Sequence, residues 1–221
     1  MIAGSPKNSI PKLAEERPED EYANFITHAF GFFLSLVASG LLIPIAVKHA
    51  PTRVVIACVV YSSSLVGLYA ASTLSHMFYD LAWRRFFRTM DQVFIYLLIA
   101  GSFTPIAVVF LWSRWWSILL VMMWVFALLG VLVVLRVRHL SPLAMCTYGL
   151  LGWLPVISLK TLFEAAPFEI LIWIVAGGLF YSVGTLFLAF DWYARYFHAM
   201  WHTLVIAGST CHYIAILLAV L

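Results

Sequence analysis

Four ionisable side chains lie in strongly apolar parts of this sequence, where such groups are costly and usually mark a functional site. His76 and Asp91 flank the junction of two apolar segments, and His198 and His202 lie four residues apart at the start of the last one. Residues four apart share one face of a helix, and the HxxxH pattern can present two imidazoles to zinc. Three imidazoles and a carboxylate at one depth therefore predict a zinc site. The alternative is a set of interfacial histidines bonded to lipid headgroups or loops.

Two further polar residues share a helical stripe with His76. Ser72, His76 and Asp80 follow one another at intervals of four, so Ser72 is predicted one turn deeper, where its hydroxyl would orient a water or a substrate carbonyl. From spacing alone, an ordinary hydrogen bond between helices is the favoured role for Ser72. Asp80 competes with Asp91 for the carboxylate role, but its position near the membrane edge favours a solvated helix end. Asp91 has two structural alternatives, as the N-cap of the third span or as the partner of an arginine.

The remaining histidines are predicted to lie outside the cluster. His28, near the start of the first apolar segment, is placed at the cavity entrance. His212 lies ten residues beyond His202, about 15 Å further along a helix, which is too far to bind the same ion. His49 and His139 fall in predicted loops, where exposure to solvent is expected.

The composition determines the broad class of the protein. Apolar residues make up 64% of the 221 residues and charged residues 10%, whereas a soluble domain carries roughly 25% charged residues. The mean hydropathy is +0.98. An all-α integral membrane protein follows, because helices satisfy their own backbone hydrogen bonds in lipid. We predict a seven-transmembrane-helix bundle at residues 21–221 after a polar tail at residues 1–20, with spans at about 25–47, 54–79, 91–112, 115–135, 142–162, 169–190 and 199–220.

The distribution of Lys and Arg predicts the orientation of the chain. Nine of these residues lie in the tail and in the loops on its side, and four lie on the opposite side. The positive-inside rule then places the N-terminus in the cytoplasm and the C-terminus outside. The four ionisable residues of the candidate site consequently fall in the cytoplasmic leaflet. The basic residues form no stripe, so no nucleic-acid partner is predicted.

Several motifs together resemble the haemolysin III family, which belongs to the progestin and adipoQ receptor superfamily. The resemblance covers about residues 19–221, and the short tail is similar to that of bacterial members, which implies the plasma membrane. The motifs are ExxNxxTHxxG at Glu21–Gly31, SxxxH at Ser72–His76, FRTMDQVFIYLLIAGSFTP at Phe87–Pro105, GGLFYSVG at Gly177–Gly184 and HAMWHTLVIAGSTCH at His198–His212.

The resemblance implies a set of site residues and a chemistry. Members of the superfamily have seven helices with a cytoplasmic N-terminus, and they hold zinc with histidines that match His76, His198 and His202. The residue that matches Asp91 engages the metal through water, and the one that matches Ser72 lies beside it. The superfamily is linked to alkaline ceramidases and is thought to contain lipid amide hydrolases.

The leading functional hypothesis is therefore a zinc-dependent hydrolase of lipid amides within the cytoplasmic leaflet, with membrane lipids as its partners. Zinc with three protein ligands keeps an open position and acidifies a bound water. Asp91 would accept the proton of that water, and Ser72 would hold the water or the oxyanion. The alternative is a non-catalytic sensor or regulator of lipid homeostasis in which zinc is structural. A cytolytic haemolysin, suggested by the family name, is disfavoured because pore formers are usually secreted in soluble form.

Overall fold

The computed structural model describes residues 18–137 and 142–221, and nearly all of them are helical. A short 3₁₀ helix, Leu154–Ser158, joins the fifth and sixth α-helices. The α-helices, in chain order, are α1 Pro18–His49, α2 Thr52–Met77, α3 Leu81–Phe110, α4 Arg114–Val137, α5 Pro142–Trp153, α6 Leu159–Ala165, α7 Phe168–Ala189 and α8 Phe197–Val220. Most of the predicted tail, residues 1–17, and the predicted loop residue His139 lie outside the described ranges.

Seven segments of the described chain are long and apolar enough to cross a membrane. The shortest have 22 residues, and at a rise of ~1.5 Å per residue such a helix is long enough for a hydrocarbon core of ~30 Å. Six of the spans are single helices, and α5, the 3₁₀ turn and α6 together make the remaining one. The predictions of an all-α integral membrane protein and of seven spans are both confirmed.

The first and third helices begin well before the predicted spans. α1 begins at Pro18 rather than near residue 25, and its first turn carries three acidic residues that suit the positive end of the helix dipole. α3 begins at Leu81 rather than at residue 91, because Asp80 caps it by accepting hydrogen bonds from the backbone N–H groups of Ala82 and Trp83, at 3.0 and 3.1 Å. Asp91 therefore lies inside α3, and its predicted alternative as an N-cap is wrong.

The fifth span is interrupted at a proline. Pro155 cannot donate a backbone hydrogen bond, and the chain tightens into the 3₁₀ turn at this point. The Ser158 hydroxyl donates to the Pro155 carbonyl at 2.7 Å, which satisfies one of the freed acceptors. Irregular backbone at membrane depth is tolerated where such local bonds replace the helical ones.

The helices pack so that the first one contacts the last. α1 lies against both α2 and α8, α2 packs against α3, and α7 packs against α8. The starts of α1, α3 and α8 and the end of α2 consequently lie at the same end of the bundle, which we call the histidine end. The close approach of α2 to α3 depends on Gly67, because the Phe94 ring occupies the space that a side chain there would need.

Candidate metal centre

Three histidines from two helices converge at the histidine end. His76 lies in the last turn of α2, while His198 and His202 lie on one face of the first two turns of α8. One ring nitrogen from each residue can be chosen so that the three nitrogens lie within 4.8 Å of one another. The ring centroids are 5.4 Å apart for His76 and His198, 5.1 Å for His76 and His202, and 4.6 Å for His198 and His202. The structure thus brings together the three histidines singled out in the sequence.

Two of these rings are held by carboxylates. The Nδ1 atom of His76 lies 2.8 Å from Oε2 of Glu21, and the Nδ1 atom of His198 lies 3.3 Å from Oδ2 of Asp191. An ionised carboxylate only accepts hydrogen bonds, so each Nδ1 carries the proton and each Nε2 keeps a free lone pair. Metal-binding histidines typically have such a carboxylate on the ring nitrogen that does not face the metal, because it sets the tautomer and raises the basicity of the ligand.

The third ring is oriented by the first helix. His202 Nδ1 lies 3.2 Å from the Thr27 hydroxyl and 3.3 Å from the Asn24 carbonyl oxygen. The Thr27 hydroxyl donates its own proton to backbone carbonyls of α1, so it accepts from the imidazole. His202 is only 1% exposed, and its Nε2 lone pair is again the one left for a ligand.

This donor set fits a zinc ion. Zinc binds imidazole nitrogens at ~2.0–2.1 Å and prefers tetrahedral geometry with nitrogen and sulfur ligands. Two nitrogens on one such ion stand about 3.4 Å apart, so the ligand atoms of His76, His198 and His202, which lie within 4.8 Å of one another, would have to move closer to hold it. Three neutral imidazoles leave one tetrahedral position open, which is the arrangement of a catalytic rather than a closed structural site.

Asp91 and Ser72 form a pair beside the three histidines. The Ser72 hydroxyl donates to Asp91 Oδ2 at 3.3 Å, and Ser72 is fully buried. The His198 imidazole and the Arg88 guanidinium also lie near enough to act on the Asp91 carboxylate electrostatically, while the alternative role of Asp91 as an arginine partner stays a prediction. Asp91 is not among the residues whose ligand atoms cluster in the described chain. Its placement is that of a group next to the cluster, with Ser72 as its hydrogen-bond donor.

Of the other described histidines, His28 lies against the candidate ligand His202, whereas His212 and His49 lie apart from the cluster. His28 is buried rather than placed at an entrance, and its ring stacks on His202 with centroids 3.5 Å apart. Neither of its ring nitrogens has a hydrogen-bond partner in the described residues. His212 lies deeper in α8, where its Nε2 donates to the Ile174 carbonyl of α7 at 3.3 Å. His49 ends α1 at the opposite end of the bundle and is exposed.

The contribution of α1 to this centre was missed by the sequence reasoning. Glu21, Asn24 and His28 follow one another at intervals of three and four, as does Gly31. These intervals place them on one helix face. That face meets His76 and His202, and the Tyr69 ring fills the space beside Gly31. The spacing was the available signal, but it does not say which helix the face contacts.

Ion pairs join the helix starts around the centre. Glu21 Oε1 pairs with Arg84 at 2.5 Å and with Arg88 at 3.4 Å, so one carboxylate links α1, α2 and α3. Arg195, in the turn before α8, pairs with Glu19 and lies 3.6 Å from Asp20. Through these contacts the start of α1 is bound both to the start of α3 and to the turn that leads into His198.

The backbone enters α8 through an unusual conformation. Tyr196, the residue before the helix, has a φ of 62° and a ψ of 6°, in the left-handed region that non-glycine residues seldom adopt. The Arg195 guanidinium lies over the Tyr196 ring, 5.2 Å from its centroid. A local conformation of this kind persists only where the surrounding structure enforces it, and here it lies at the start of α8, two residues before His198.

Comparison with known proteins finds a matching family and several relatives for most of the chain. Residues 17–213 match the family described as haemolysin-III related. The chain is similar to Hemolysin-3 of Bacillus cereus, with 36% identity over 92% of this chain and 93% of that protein. It is also similar to a Hemolysin-3 homolog of Bacillus subtilis, with 32% identity over 90% and 93% of the two chains. The human monocyte to macrophage differentiation factor is 25% identical over 88% of this chain and 82% of its own length.

Proposed function

Because the chain belongs to the haemolysin III family of integral membrane proteins, we propose that it binds zinc at the histidine end and hydrolyses lipid amides there. The observation that carries the proposal is the convergence of His76, His198 and His202 from α2 and α8. Each of these rings has its Nδ1 engaged by an outer partner. Imidazoles held in this way are prepared to bind one metal ion through Nε2.

The residues around the centre support a role in hydrolysis. Zinc with an open position polarises a carbonyl and lowers the pKa of water. In our proposal the Asp91 carboxylate accepts a proton from the attacking water, whose oxygen adds to the amide carbon. The carbon–nitrogen bond then breaks, and the proton passes to the departing amine. Ser72 positions the Asp91 carboxylate through its hydrogen bond.

The surroundings of the site favour a lipid substrate. All three histidines belong to helices with the length and composition of membrane spans, so the amide would arrive from the bilayer rather than from water. A substrate with an acyl chain is retained there by the hydrophobic effect at ~0.8 kcal/mol for each buried methylene. Lipid amides such as ceramides combine that chain with the bond to be cleaved.

The experiment that tests the proposal separates binding from turnover. The purified protein in detergent should contain about one zinc per chain by elemental analysis, and His198→Ala should lose it, whereas His49→Ala should keep it. Asp91→Asn should retain most of the zinc but lower turnover of a ceramide about a hundredfold or more, the usual effect of removing a general base. Full zinc occupancy in His198→Ala would refute the ligand assignment.

A second candidate function is a structural clamp in a non-catalytic regulator of membrane lipids. The observation in its favour is that the candidate ligands and their outer partners join α1, α2 and α8. In that case Asp91→Asn would leave every zinc-dependent property intact, and removal of zinc would lower thermal stability. Absence of turnover by the wild-type protein on a panel of ceramides and related amides would favour this candidate over the hydrolase.

The name of the Bacillus cereus relative suggests cytolysis as a third activity. The present chain has seven spans inside the described residues, whereas a secreted pore former must first be soluble. We therefore give this activity no part in the proposal. Lysis of liposomes by the purified protein at low protein-to-lipid ratios would be the measurement that restores it.

A further inference from the structure

A lateral groove opens between α1, α2 and α8, just below the metal centre. Its volume is about 240 Å³, far above the ~10–15 Å³ that a cavity needs to hold one water molecule. The floor is formed by small or buried residues, and the outer edge by exposed aliphatic side chains of α1. The floor includes Gly31, Ser35 and Ala38, and the edge includes Leu34, Val37 and Leu41.

The groove has the length of an acyl chain in one leaflet and crosses the middle of the helices that line it. It begins at Gly31 and Ile206, which lie three residues beyond His28 and four beyond His202. Along α1 it continues to Leu41, ten residues further, which corresponds to about 15 Å at ~1.5 Å per residue. That is about half of the ~30 Å hydrocarbon core, and the lining residues lie around the middle of α1 and of α8, so the groove crosses the middle of the bundle.

Three polar side chains of the groove wall are already paired, whereas the Tyr213 hydroxyl is buried without a partner among the described residues. The Tyr69 hydroxyl donates to the Ser209 hydroxyl at 2.9 Å, and the Tyr181 hydroxyl lies 2.8 Å from the same oxygen. Ser35 donates to the Phe32 carbonyl of its own helix at 2.7 Å. These side chains therefore present mainly carbon to the groove, which suits a hydrocarbon chain.

The inner end of the groove backs onto the metal centre. The Tyr69 ring packs beside Gly31 and meets the His28 ring edge-on, with centroids 5.2 Å apart. His28 in turn stacks on His202 at 3.5 Å. The rings of Tyr69 and His28 thus separate the groove from the ligand cluster, and an occupant of the groove would contact the Tyr69 ring.

We propose that this groove binds the acyl chain of a bilayer lipid, in contact with the Tyr69 ring that supports His28 and His202. The ends of bilayer acyl chains reach this depth, and the membrane supplies such chains at high concentration. The proposal is independent of catalysis, since it requires neither zinc nor turnover. It differs from a substrate site because the rings of Tyr69 and His28 lie between the groove and the candidate ligands.

The test uses the full chain in liposomes with phosphatidylglycerol that carries a diazirine at the middle of one acyl chain. Photolabelling followed by peptide mapping should place the label in residues 31–41 of α1 and 206–213 of α8, above the level on the exposed face of α4. Ala38→Trp, which fills the groove, should lower this labelling about tenfold, corresponding to about 1.4 kcal/mol of binding free energy. Ala38→Leu should give an intermediate loss and guards against misfolding of the larger variant.

The matched control is Gly40→Trp. Gly40 lies two residues from Ala38 at nearly the same depth, and a side chain there meets open space, so labelling of the groove should not change. Even labelling of all lipid-facing helices, or labelling unaffected by Ala38→Trp and Ala38→Leu, would overturn the proposal. Ala38→Cys chains that form disulfide-linked dimers in the membrane would overturn it too, because a second copy would then occupy the groove.

Discussion

Glu21 Oε2 lies 2.8 Å from His76 Nδ1, so a carboxylate at the start of the first helix orients an imidazole at the end of the second. The other oxygen of the same carboxylate pairs with Arg84 of α3. Glu21 is thereby held from two sides in the position that keeps the His76 Nε2 lone pair turned away from it. The candidate metal centre consequently depends on contacts between helices, beyond the two helices that carry the ligands.

Replacement of Glu21 by alanine should weaken zinc binding about tenfold to a hundredfold, the range typical of lost outer-shell partners. The reason is that the His76 ring loses both its fixed tautomer and the nearby negative charge. Competition with a chelator of known affinity measures the change in zinc dissociation constant. Glu19→Ala is the control, because Glu19 is largely exposed and pairs with Arg195 rather than with a histidine. Equal affinities for Glu21→Ala and the wild type would show that His76 does not need this carboxylate.

Thr27→Val removes one acceptor from His202 Nδ1 while keeping the shape of the side chain. The Asn24 carbonyl remains as a second acceptor, so we expect a smaller effect, a loss of about 1 kcal/mol in zinc binding free energy. Thr203→Val serves as the control, since the Thr203 hydroxyl donates to the Ala199 carbonyl of its own helix. The same chelator competition applies, and a loss as large in the control as in Thr27→Val would argue against a specific role for Thr27.

Gly67→Ala should destabilise the bundle by about 1–3 kcal/mol, the usual cost of overpacking a tight contact. A methyl group at this position collides with the Phe94 ring of α3. The fraction of protein that stays monodisperse in detergent after heating, measured by size-exclusion chromatography, gives the change in thermal midpoint. Gly40→Ala faces open space and should be neutral or slightly stabilising. If both variants melt together, the α2–α3 contact is looser than described.

Reporter fusions test the predicted orientation of the bundle. A cytoplasmic reporter should be active at the N-terminus and inactive at the C-terminus, because the Lys and Arg count is nine to four in favour of a cytoplasmic N-terminal side. Seven spans require the two termini to lie on opposite sides. Two active cytoplasmic fusions would mean that one of the seven segments does not cross the membrane.

The sequence was sufficient to predict the spans and the three histidines, because both depend on local patterns. Apolar runs of about twenty residues define spans in lipid, and the interval between His198 and His202 defines a helix face. The membrane depth predicted for His76 then placed it at the same level as His198 and His202. The early start of α3 was not predicted because its first turns are polar and lie before the apolar run from which the span was identified. A cap at Asp80 was the physical cause, and it moved Asp91 from a helix end to a helix interior.

The residues that hydrogen-bond to the Nδ1 atoms of the histidines could not be predicted from the sequence, for a different reason. Thr27 and His202 are 175 positions apart, and no periodicity in either helix specifies which neighbour its polar face will meet. In lipid, helix pairing is decided by side-chain packing and by scattered polar contacts rather than by burial of apolar surface. The α1–α8 contact therefore depends on how the whole bundle packs, and a single sequence does not predict it.

The α1–α8 contact also determines when the histidine cluster can form during synthesis of the protein. α1 leaves the ribosome before α8, so during synthesis Asn24 and Thr27 enter the membrane before their partner His202 has been made. A chain arrested after α7 holds one candidate ligand, His76, and lacks both imidazoles of α8. Assembly of the histidine cluster thus requires that all seven spans of the described chain, from α1 to α8, have been inserted.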